Sequence, residues 1–386
     1  MPVPPAKRLR RAGAADAAGG APICASVARC ANAGSGSVAN SGMAGGSEVF
    51  AVGSICSGIG VCHRAAALLN SRNVKLSLRD AFACEVARPA RLVLAADFPG
   101  LRLLGDVCQG GVRLPPCDIL VAGFPCQPFS PANRKRKGSS DERCKVVDRI
   151  LCYAERAMPS LIVLENVVGL LSYGRDVFLK VVKCLQSAGY SIAMQVLRSE
   201  VHGGVPQRRH RLFIVALRSP TVAMAWPGSV PTRSLPSILS DDMGPPGAQP
   251  SAPKAAAKLD AVMKCLAPCR VTEEESAQMV VNCHSALGRL FIGRTPCLTA
   301  ARGSQGGFWL LGRRRMMNLD ELLRLQGIDP GSTCIPTVVT ARQAGYLVGN
   351  DFTLPLITRV LVCALRSLGL EVVDPIVPSR MAGKED

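Results

Sequence analysis

The sequence predicts an α/β protein with a doubly wound, mostly parallel sheet and a small second lobe. Short apolar runs alternate with amphipathic, helix-length segments between residues 48 and 217, and this alternation then stops in a stretch rich in Pro, Ala, Ser and Gly. Strands that alternate with helices imply right-handed crossovers and a parallel sheet covered on both faces. Ligands of such sheets bind at the carboxyl ends of the strands.

The individual elements follow from the same pattern. Strands are predicted where apolar and β-branched residues cluster, at residues 49–55, 76–84, 117–122, 161–164, 191–197 and 212–217. Amphipathic spacing predicts helices between and after them, at residues 61–69, 88–96, 146–157, 177–188, 319–325 and 343–368. We expect the last of these segments to pack back beside the first strand.

This reading divides the chain into five segments. They are a disordered basic tail (1–47), a main domain (48–217), a small lobe (218–325), a segment that returns to the main domain (326–373) and a flexible tail (374–386). The first tail holds a short basic cluster at Lys7, Arg8, Arg10 and Arg11. This cluster is compatible with a nuclear-import patch, with a solvated charged terminus or with an organellar transit peptide.

Composition excludes several classes of protein. Hydrophobic residues make up 48% of the 386 residues, which argues against a wholly disordered chain. Lys and Arg number 46 against 28 Asp and Glu, a net charge of +18 that indicates a polyanionic partner such as nucleic acid, although an Arg-rich proteome would produce a similar surplus. The 17 cysteines have no regular spacing, which favours a reducing compartment. We expect no membrane span, because Arg359 and Arg366 interrupt the apolar run 354–370.

The turn after the first strand indicates a ligand site. Ser57-Gly58-Ile59-Gly60 stands between a predicted strand and a predicted helix, where glycines allow close approach and backbone amides face the ligand. Alone, this motif is equally compatible with a structural tight turn, and His63 replaces the third glycine of the dinucleotide fingerprint. Glu85 and Asp106 follow the next two apolar runs, either as solvated or capping acids or as acceptors for a ribose and an adenine. Together the three features predict a nucleoside cofactor.

A candidate nucleophile follows the buried run that ends at residue 122. In Pro125-Cys126-Gln127 the prolines nearby stiffen the turn, and the basic residues 134–137 come shortly afterwards. A reactive thiol needs a rigid mount and an electropositive environment, which this context provides, although most cysteines are inert core residues.

Several motifs now occur in one order along the chain. Pro125-Cys126-Gln127 is followed by Glu165-Asn166-Val167 and by Gln207-Arg208-Arg209-His210-Arg211, and these resemble the catalytic motifs of the C5-cytosine methyltransferase family. Further similarities to that family lie at the 57–60 turn, at Asp141 and Arg143, at Arg324-Leu325-Gln326-Gly327 and at Gly349-Asn350. The resemblance covers residues 49–365, apart from the segment between Leu217 and Arg294.

This resemblance implies an S-adenosylmethionine-dependent methyltransferase of Rossmann-like fold that acts on DNA. Cytosine C5 is a poor nucleophile, so a thiolate, here Cys126, must first attack C6. Glu165 would hold a proton at N3 and Arg211 would bind O2, with Arg209 completing the catalytic set; each also has a structural reading, as a core-edge carboxylate or a surface basic run. The base must be flipped out of the duplex, and the loop 127–143 would close over it. The residues expected to bind the cofactor are Ser57, Gly58, Gly60, Glu85, Asp106, Val107, Pro125 and Asn350.

Three features depart from the family pattern. Cys56 stands where an aromatic residue commonly stacks on the adenine, and Asp351-Phe352 replace a small hydroxyl residue and an aliphatic one. The variable segment after Leu217 is short. An RNA cytosine methyltransferase and a catalytically weakened nucleic-acid-binding homologue therefore remain alternatives.

The remaining expectations concern partners and location. We expect a monomer that binds DNA, no membrane and no metal, since Cys265, Cys269 and Cys283-His284 match no standard zinc spacing. A recruiting protein is a possible further partner, and the sequence does not identify it. The nucleus is the expected location, with an organelle, or the cytoplasm of a prokaryote, as the alternative.

Overall fold

The computed structural model describes residues 48–131, 133, 135–285 and 288–377. These belong to a unit that begins near residue 46. The predicted disordered tail with its basic cluster, and most of the predicted C-terminal tail, lie outside the described residues.

Seven strands form the central sheet. They are β1 (Glu48–Ile55), β2 (Leu76–Cys84), β3 (Leu103–Leu104), β4 (Ile119–Ala122), β5 (Leu161–Val167), β6 (Ser191–Arg198) and β8 (His210–Leu217). The short strand β7 (Gln207–Arg208) lies between β6 and β8 in the chain and is not part of this sheet. Their order across the sheet is β3-β2-β1-β4-β5-β8-β6. All pairs are parallel except those of β8, which runs antiparallel to both β5 and β6. The predicted doubly wound, mostly parallel α/β sheet is thus confirmed.

Helices cover both faces of this sheet. In chain order they are α1 (Val61–Asn70), α2 (Arg88–Asp97), α3 (Lys145–Ala157), α4 (Leu170–Tyr173), α5 (Arg175–Ser187), α6 (Ser199–His202), α7 (Pro253–Leu266), α8 (Glu273–Ala277), α9 (Ala300–Gly303), α10 (Leu319–Leu325), α11 (Ile335–Val338), α12 (Ala341–Asn350) and α13 (Leu354–Ser367). Short 3-10 turns lie at Gly138–Ser140, Glu142–Cys144, Pro236–Ile238 and Pro330–Ser332. Helices α1 and α13 pack together over one apolar cluster, and α3 and α5 over another.

The segment after β8 builds a second, smaller sheet. Strands β9 (Met279–Asn282), β10 (Arg289–Ile292), β12 (Trp309–Leu310) and β13 (Arg315–Met316) pair in the order β10-β9-β12-β13. A small core that includes Leu259, Val281 and Trp309 joins α7 to this sheet. Strand β11 (Thr295–Pro296), which follows β10 in the chain, is not part of this sheet and pairs in parallel with β7. The segment that leaves the smaller sheet therefore contacts the residues just before β8. The domain boundaries drawn from the sequence remain predictions.

Several element boundaries differ from the sequence-based expectation, and two of these differences have an identifiable cause. Strand β5 runs to Val167, beyond the predicted end at 164, because it pairs with β8 as far as Arg211. The predicted helix 343–368 is two helices. Asp351 ends α12 with extended backbone (φ −89°, ψ 177°). Pro355, in the first turn of α13, has no amide hydrogen to donate to the carbonyl of Asp351, so one continuous helix through both segments is disfavoured.

The C-terminal helical pair also bears on the membrane expectation. The stretch Ala341–Ser367, which contains α12 and α13, is by length and composition alone apolar enough to cross a membrane, with a mean hydropathy of 1.4 over an 18-residue window. The expectation that no stretch of the chain has this length and composition is therefore wrong. Yet 78% of this window is buried inside the protein, and α13 packs on α1. Its apolar composition is that of a core helix.

A buried polar chain supports the turn after β1. The Ser57 hydroxyl contacts the Ser54 hydroxyl at 2.6 Å, Ser54 contacts His63 Nε2 at 2.9 Å, and His63 Nδ1 lies 2.6 Å from Asp80 Oδ1. Burial opposes a charge on the imidazole, but Cys62 and Asp80 outweigh it and raise the pKa of His63 to about 10. The imidazolium and the carboxylate therefore form an ion pair under the first strand.

We predict that Asp80→Asn lowers the free energy of unfolding by about 1.5–3 kcal/mol at pH 6, the range for a hydrogen bond to a charged group. The pKa of His63 is raised in the folded state, so this contribution is complete below the ordinary histidine pKa and declines as pH rises towards 10. Urea denaturation at pH 6 and pH 9.5 measures it. Asp148→Asn, which removes a half-exposed ion pair with Lys180, is the control and should change stability by less than about 0.5 kcal/mol. An equal Asp80→Asn effect at both pH values would contradict the assignment.

Candidate active site

The turn that follows β1 has the geometry of a close-approach loop. Gly58 and Gly60 adopt left-handed backbone conformations, with φ of 54° and 79°, which glycine tolerates best. Glu85, at the end of β2, accepts from the amide of Gly58 at 2.9 Å and from the amide of Ala87 at 2.9 Å. The turn and the end of the second strand are therefore held together by a carboxylate, a contact that the sequence did not predict.

The predicted adenine-side residues follow β3. Asp106 is exposed and accepts from the amide of Cys108 at 2.8 Å through one carboxylate oxygen, while Val107 beside it is buried. A carboxylate has about four acceptor positions, so both Glu85 and Asp106 keep capacity for further donors. Carboxylates at the ends of two neighbouring strands, next to a glycine turn, form a set of hydrogen-bond acceptors that fits the hydroxyls of a ribose and the amino group of an adenine.

Asp351 also reaches this turn, a contact that the sequence did not predict. Its Oδ2 accepts from the amide of Ile59 at 2.6 Å, and its Oδ1 accepts from the amide of Phe352 at 2.7 Å. A Cβ placed on Gly58 would lie 2.3 Å from Asp351 Oδ2, so only glycine fits there. Asp351 is buried, whereas the neighbouring Asn350, which we expected to bind the cofactor, is exposed.

The loop after β4 is fixed at both of its sides. The Cys126 carbonyl accepts from the amides of Phe129 and Ser130, each at 2.9 Å, which closes a tight turn around the thiol. Asn166 on β5 donates to the Phe124 carbonyl at 3.0 Å. Cys126 is half-buried, and Pro125 before it is half-buried as well. The expected rigid mount for the thiol is present.

The following residues anchor the rest of the loop. Phe129 is fully buried, and a Cβ on Gly169 or on Gly174 would collide with it at 2.3 Å. The Arg143 guanidinium forms two hydrogen bonds to the Asp141 carboxylate, at 2.8 and 2.7 Å, and holds the pKa of Asp141 at about 2. The loop predicted to close over a base is thus attached at its beginning and at its end.

Glu165 and Arg211 meet beside the thiol. The pairing of β5 with β8 brings them together, and Arg211 Nε lies 2.8 Å from Glu165 Oε1. Burial raises the pKa of the Cys126 thiol, the positive charges of Arg211 and Arg209 lower it, and Glu165 raises it again. The structure therefore unites Cys126, Glu165 and Arg211, from three separate motifs, at one edge of the sheet.

Arg209 is buried and engaged with the backbone. Its guanidinium donates to the carbonyls of Leu298 at 2.7 Å, Asp351 at 2.6 Å and Gly349 at 3.4 Å. These contacts connect β8 to the chain before α9 and to the end of α12. Such a group acts as a positioning residue in this structure, and the direct catalytic role that we expected for Arg209 stays a prediction.

A network of buried amides continues this connection. Gln207 donates through Nε2 to the Leu325 carbonyl at 3.1 Å and accepts through Oε1 from the amide of Leu298 at 2.9 Å. Gln326 donates to the Val348 carbonyl at 2.8 Å, and Thr353 donates to Gln326 Oε1 at 3.1 Å. Gln207 and Gln326 belong to two of the sequence motifs but are not among the predicted site residues, because their role appears only when distant segments pack together.

A second cysteine lies close to the two arginines. Cys297 Sγ is 3.6 Å from Arg209 Nη1 and 3.8 Å from Arg211 Nη2. Burial would raise the pKa of its thiol, but the two guanidinium groups outweigh burial and lower it. Within the described residues, no group of three or more His, Cys, Asp or Glu side chains is placed to hold a metal ion.

The contacts of Arg209 lead to a stability prediction. We predict that Arg209→Lys lowers the free energy of unfolding by about 3–5 kcal/mol, because a single ammonium cannot reach carbonyls of both segments and a buried charge loses its partners. Thermal and chemical denaturation measure the loss. Arg208→Lys, at the exposed neighbouring position, is the matched control and should change stability by less than about 0.5 kcal/mol. Equal effects of the two substitutions would contradict the positioning role.

The electrostatics of the thiols lead to a second prediction. Alkylation of Cys126 should begin at a higher pH than alkylation of an ordinary cysteine, because burial raises the pKa of its thiol. Arg211→Ala should move the onset of alkylation to a still higher pH, because it removes a positive charge that lowers this pKa. Cys297 in the same sample should react at a lower pH than Cys126. Iodoacetamide labelling followed by peptide mass spectrometry resolves the two sites. A Cys126 profile unchanged by Arg211→Ala would overturn the assignment of Arg211 as its counter-charge.

Comparison with known proteins agrees with this geometry. A profile of the family described as C-5 cytosine-specific DNA methylase matches residues 50–242, half of the chain. Type II methyltransferase M.NlaX of Neisseria lactamica is 36% identical over 155 residues, which cover 39% of this chain and 48% of that protein. Type II methyltransferase M.NgoBI of Neisseria gonorrhoeae is 29% identical over 299 residues, covering 75% of this chain and 88% of that protein.

The solved structures give the same result for the fold. The Entamoeba histolytica methyltransferase EhMeth superposes with a TM-score of 0.61 at 16% identity, covering 83% of this chain and 99% of that one. The chain spans half or less of the length of the first curated relatives it matches. The profile match over half of the chain confirms the resemblance: the chain belongs to the C-5 cytosine-specific DNA methylase family.

Proposed function

We propose that this chain transfers a methyl group from S-adenosylmethionine to C5 of cytosine in DNA, through a covalent bond between Cys126 and C6 of a flipped-out base. The observation that carries this proposal is the meeting of the half-buried Cys126 thiol with the Glu165–Arg211 ion pair. The family assignment supports the reaction class and DNA as the substrate.

In the proposed mechanism each side chain has a separate task. The Cys126 sulfur adds to C6 as a thiolate, and the electron pair of the C5–C6 bond becomes available at C5. Arg211 holds Glu165 through Oε1, and the Glu165 carboxyl group would hold the proton at N3 and accept from the amino group. Once C5 is methylated, a base removes the C5 proton and the thiolate leaves, which restores the aromatic ring.

The cofactor site would lie on the neighbouring strand ends. When bound, S-adenosylmethionine supplies an electrophilic methyl group. Glu85 and Asp106 would accept from its ribose and adenine, and the turn of Ser57, Gly58 and Gly60 would approach it closely. Val107, Pro125 and Asn350 remain proposed members of this site.

The proposed DNA-binding surface includes exposed basic residues beside the thiol. Arg208 and His210 are exposed, and together with Phe291, Pro296 and Cys297 they line an open pocket of about 260 Å³ between β8 and the smaller sheet. A surface of this kind suits phosphate and base-edge contacts. We propose a monomer on DNA, with any recruiting protein unidentified.

The location of the protein is also a proposal. The first curated relatives are from bacteria such as Neisseria lactamica and Bacillus subtilis, which favours the prokaryotic, cytoplasmic alternative over the expected nucleus. A nuclear and epigenetic role would need support from the basic cluster at residues 7–11, which lies outside the described residues.

The test of this mechanism is a covalent adduct. A duplex with 5-fluorocytosine at the target base should form a denaturation-resistant complex with the protein when S-adenosylmethionine is present, because fluorine blocks the final elimination. Cys126→Ser should abolish the adduct, whereas Cys297→Ser should retain it. Intact mass spectrometry and denaturing gels provide the readout, with a duplex library covering all flanking contexts.

Different outcomes separate the alternatives. If an adduct formed with RNA of the same sequences but not with DNA, the substrate would be RNA and the proposal of DNA as the substrate would be wrong. Salt-sensitive DNA binding without any adduct would favour a nucleic-acid-binding homologue that has lost catalysis, and would contradict the proposed reaction.

A further inference from the structure

The cofactor turn faces two carboxylates rather than one. Glu85 accepts from the amide of Gly58 and Asp351 accepts from the amide of Ile59, so consecutive amides of the turn are bound by acids from β2 and from the end of α12. Asp351 is 6% exposed. The absence of a Cβ at Gly58 allows its carboxylate to come this close, as the 2.3 Å distance from a hypothetical Cβ shows.

The carboxylate of Asp351 has no cationic side chain as a counter-ion among the described residues. Among the described residues, its carboxylate forms no ion pair, and its hydrogen bonds come from two neutral amides, Ile59 and Phe352. The nearby Arg209 donates to the backbone carbonyl of Asp351 instead. Burial, reinforced by Glu85, raises the pKa of the Asp351 carboxyl to about 7 against the effect of those amides and Arg209. A buried carboxylate without a cation is costly, and a bound cation removes that cost.

We propose that Asp351 is a specificity-determining residue of the cofactor site, where its carboxylate selects a cationic ligand over the neutral counterpart. This inference rests on the proposed function and names the property of the site that distinguishes methyl donor from product. S-adenosylmethionine carries a sulfonium and an ammonium group against one carboxylate, whereas S-adenosylhomocysteine has lost the sulfonium charge. Two carboxylates at a partly buried turn therefore favour the donor, since Coulomb interactions there are stronger than in water.

The opposite role for Asp351 would be to weaken cofactor binding. The Ile59 amide that Asp351 occupies is a donor that a ligand carboxylate would use, so Asp351 would then compete with the ligand and weaken its binding. The two roles predict opposite effects when the charge is removed. We favour selection of the cation, because Glu85 already places a negative charge at the same turn and a third carboxylate, from the ligand, would be repelled.

The experiment measures binding of both ligands to the full chain by isothermal titration calorimetry. Asp351→Asn, which keeps the size of the side chain, should weaken S-adenosylmethionine binding about tenfold and S-adenosylhomocysteine binding less than about threefold. Asp351→Ser, with a small hydroxyl group, should change the ratio of the two affinities in the same direction. Melting temperatures of all variants establish that they are folded at the temperature of the titration.

Glu321→Gln is the matched control, since Glu321 is a buried carboxylate on α10 paired with Arg315. It should leave the ratio of the two affinities within about twofold of that of the wild-type protein. Tighter binding of both ligands to Asp351→Asn, or an unchanged ratio in both Asp351 variants, would overturn the inference while leaving the proposed function intact. A wild-type protein that binds neither ligand would overturn the proposed function and this inference together.

Discussion

The buried guanidinium of Arg209 is the interaction on which the rest of the site depends. It connects the start of β8 with the carbonyls of Leu298, Gly349 and Asp351, which are remote in sequence. Gln207 and Gln326 extend the same connection to the end of α10 and to the residues between α12 and α13. Arg209 immediately precedes β8 and Arg211 is the second residue of that strand, so this anchorage also fixes where Arg211 meets Glu165.

The two residues that depart most from the family pattern connect the halves of the site. Asp351 reaches the cofactor turn at Ile59, and the ring of Phe352 lies against Gly123, where a Cβ would be 2.8 Å from it. Gly123 directly follows β4 and leads into Pro125-Cys126. One dipeptide therefore contacts both the turn that would hold the methyl donor and the strand end that leads to Cys126.

The sequence predicted the sheet and the chemistry-bearing motifs because these depend on local pattern. Buried strands such as 119–122 show as apolar runs, and Cys126, Glu165 and Arg211 stand near strand ends at the edge where parallel sheets bind ligands. The break of the last helix at Asp351 and the contact of that residue with Ile59 were missed. The break has a local cause in Pro355, whereas the contact depends on tertiary packing across 292 residues of chain, which no local pattern encodes. The role of Gln207 and Gln326 was missed for the same reason, since a buried amide network exists only after its segments have come together.

The central claim is that the chain places a methyl group on C5 of cytosine in DNA. Its most direct measurement is incubation with S-adenosylmethionine deuterated in the methyl group and a duplex library, followed by nucleoside digestion and mass spectrometry. The account predicts 5-methyldeoxycytidine that carries the three deuterium atoms of the donor methyl group, and none with Cys126→Ser. Unlabelled DNA after prolonged incubation with folded protein that binds both the duplex and the donor would contradict it.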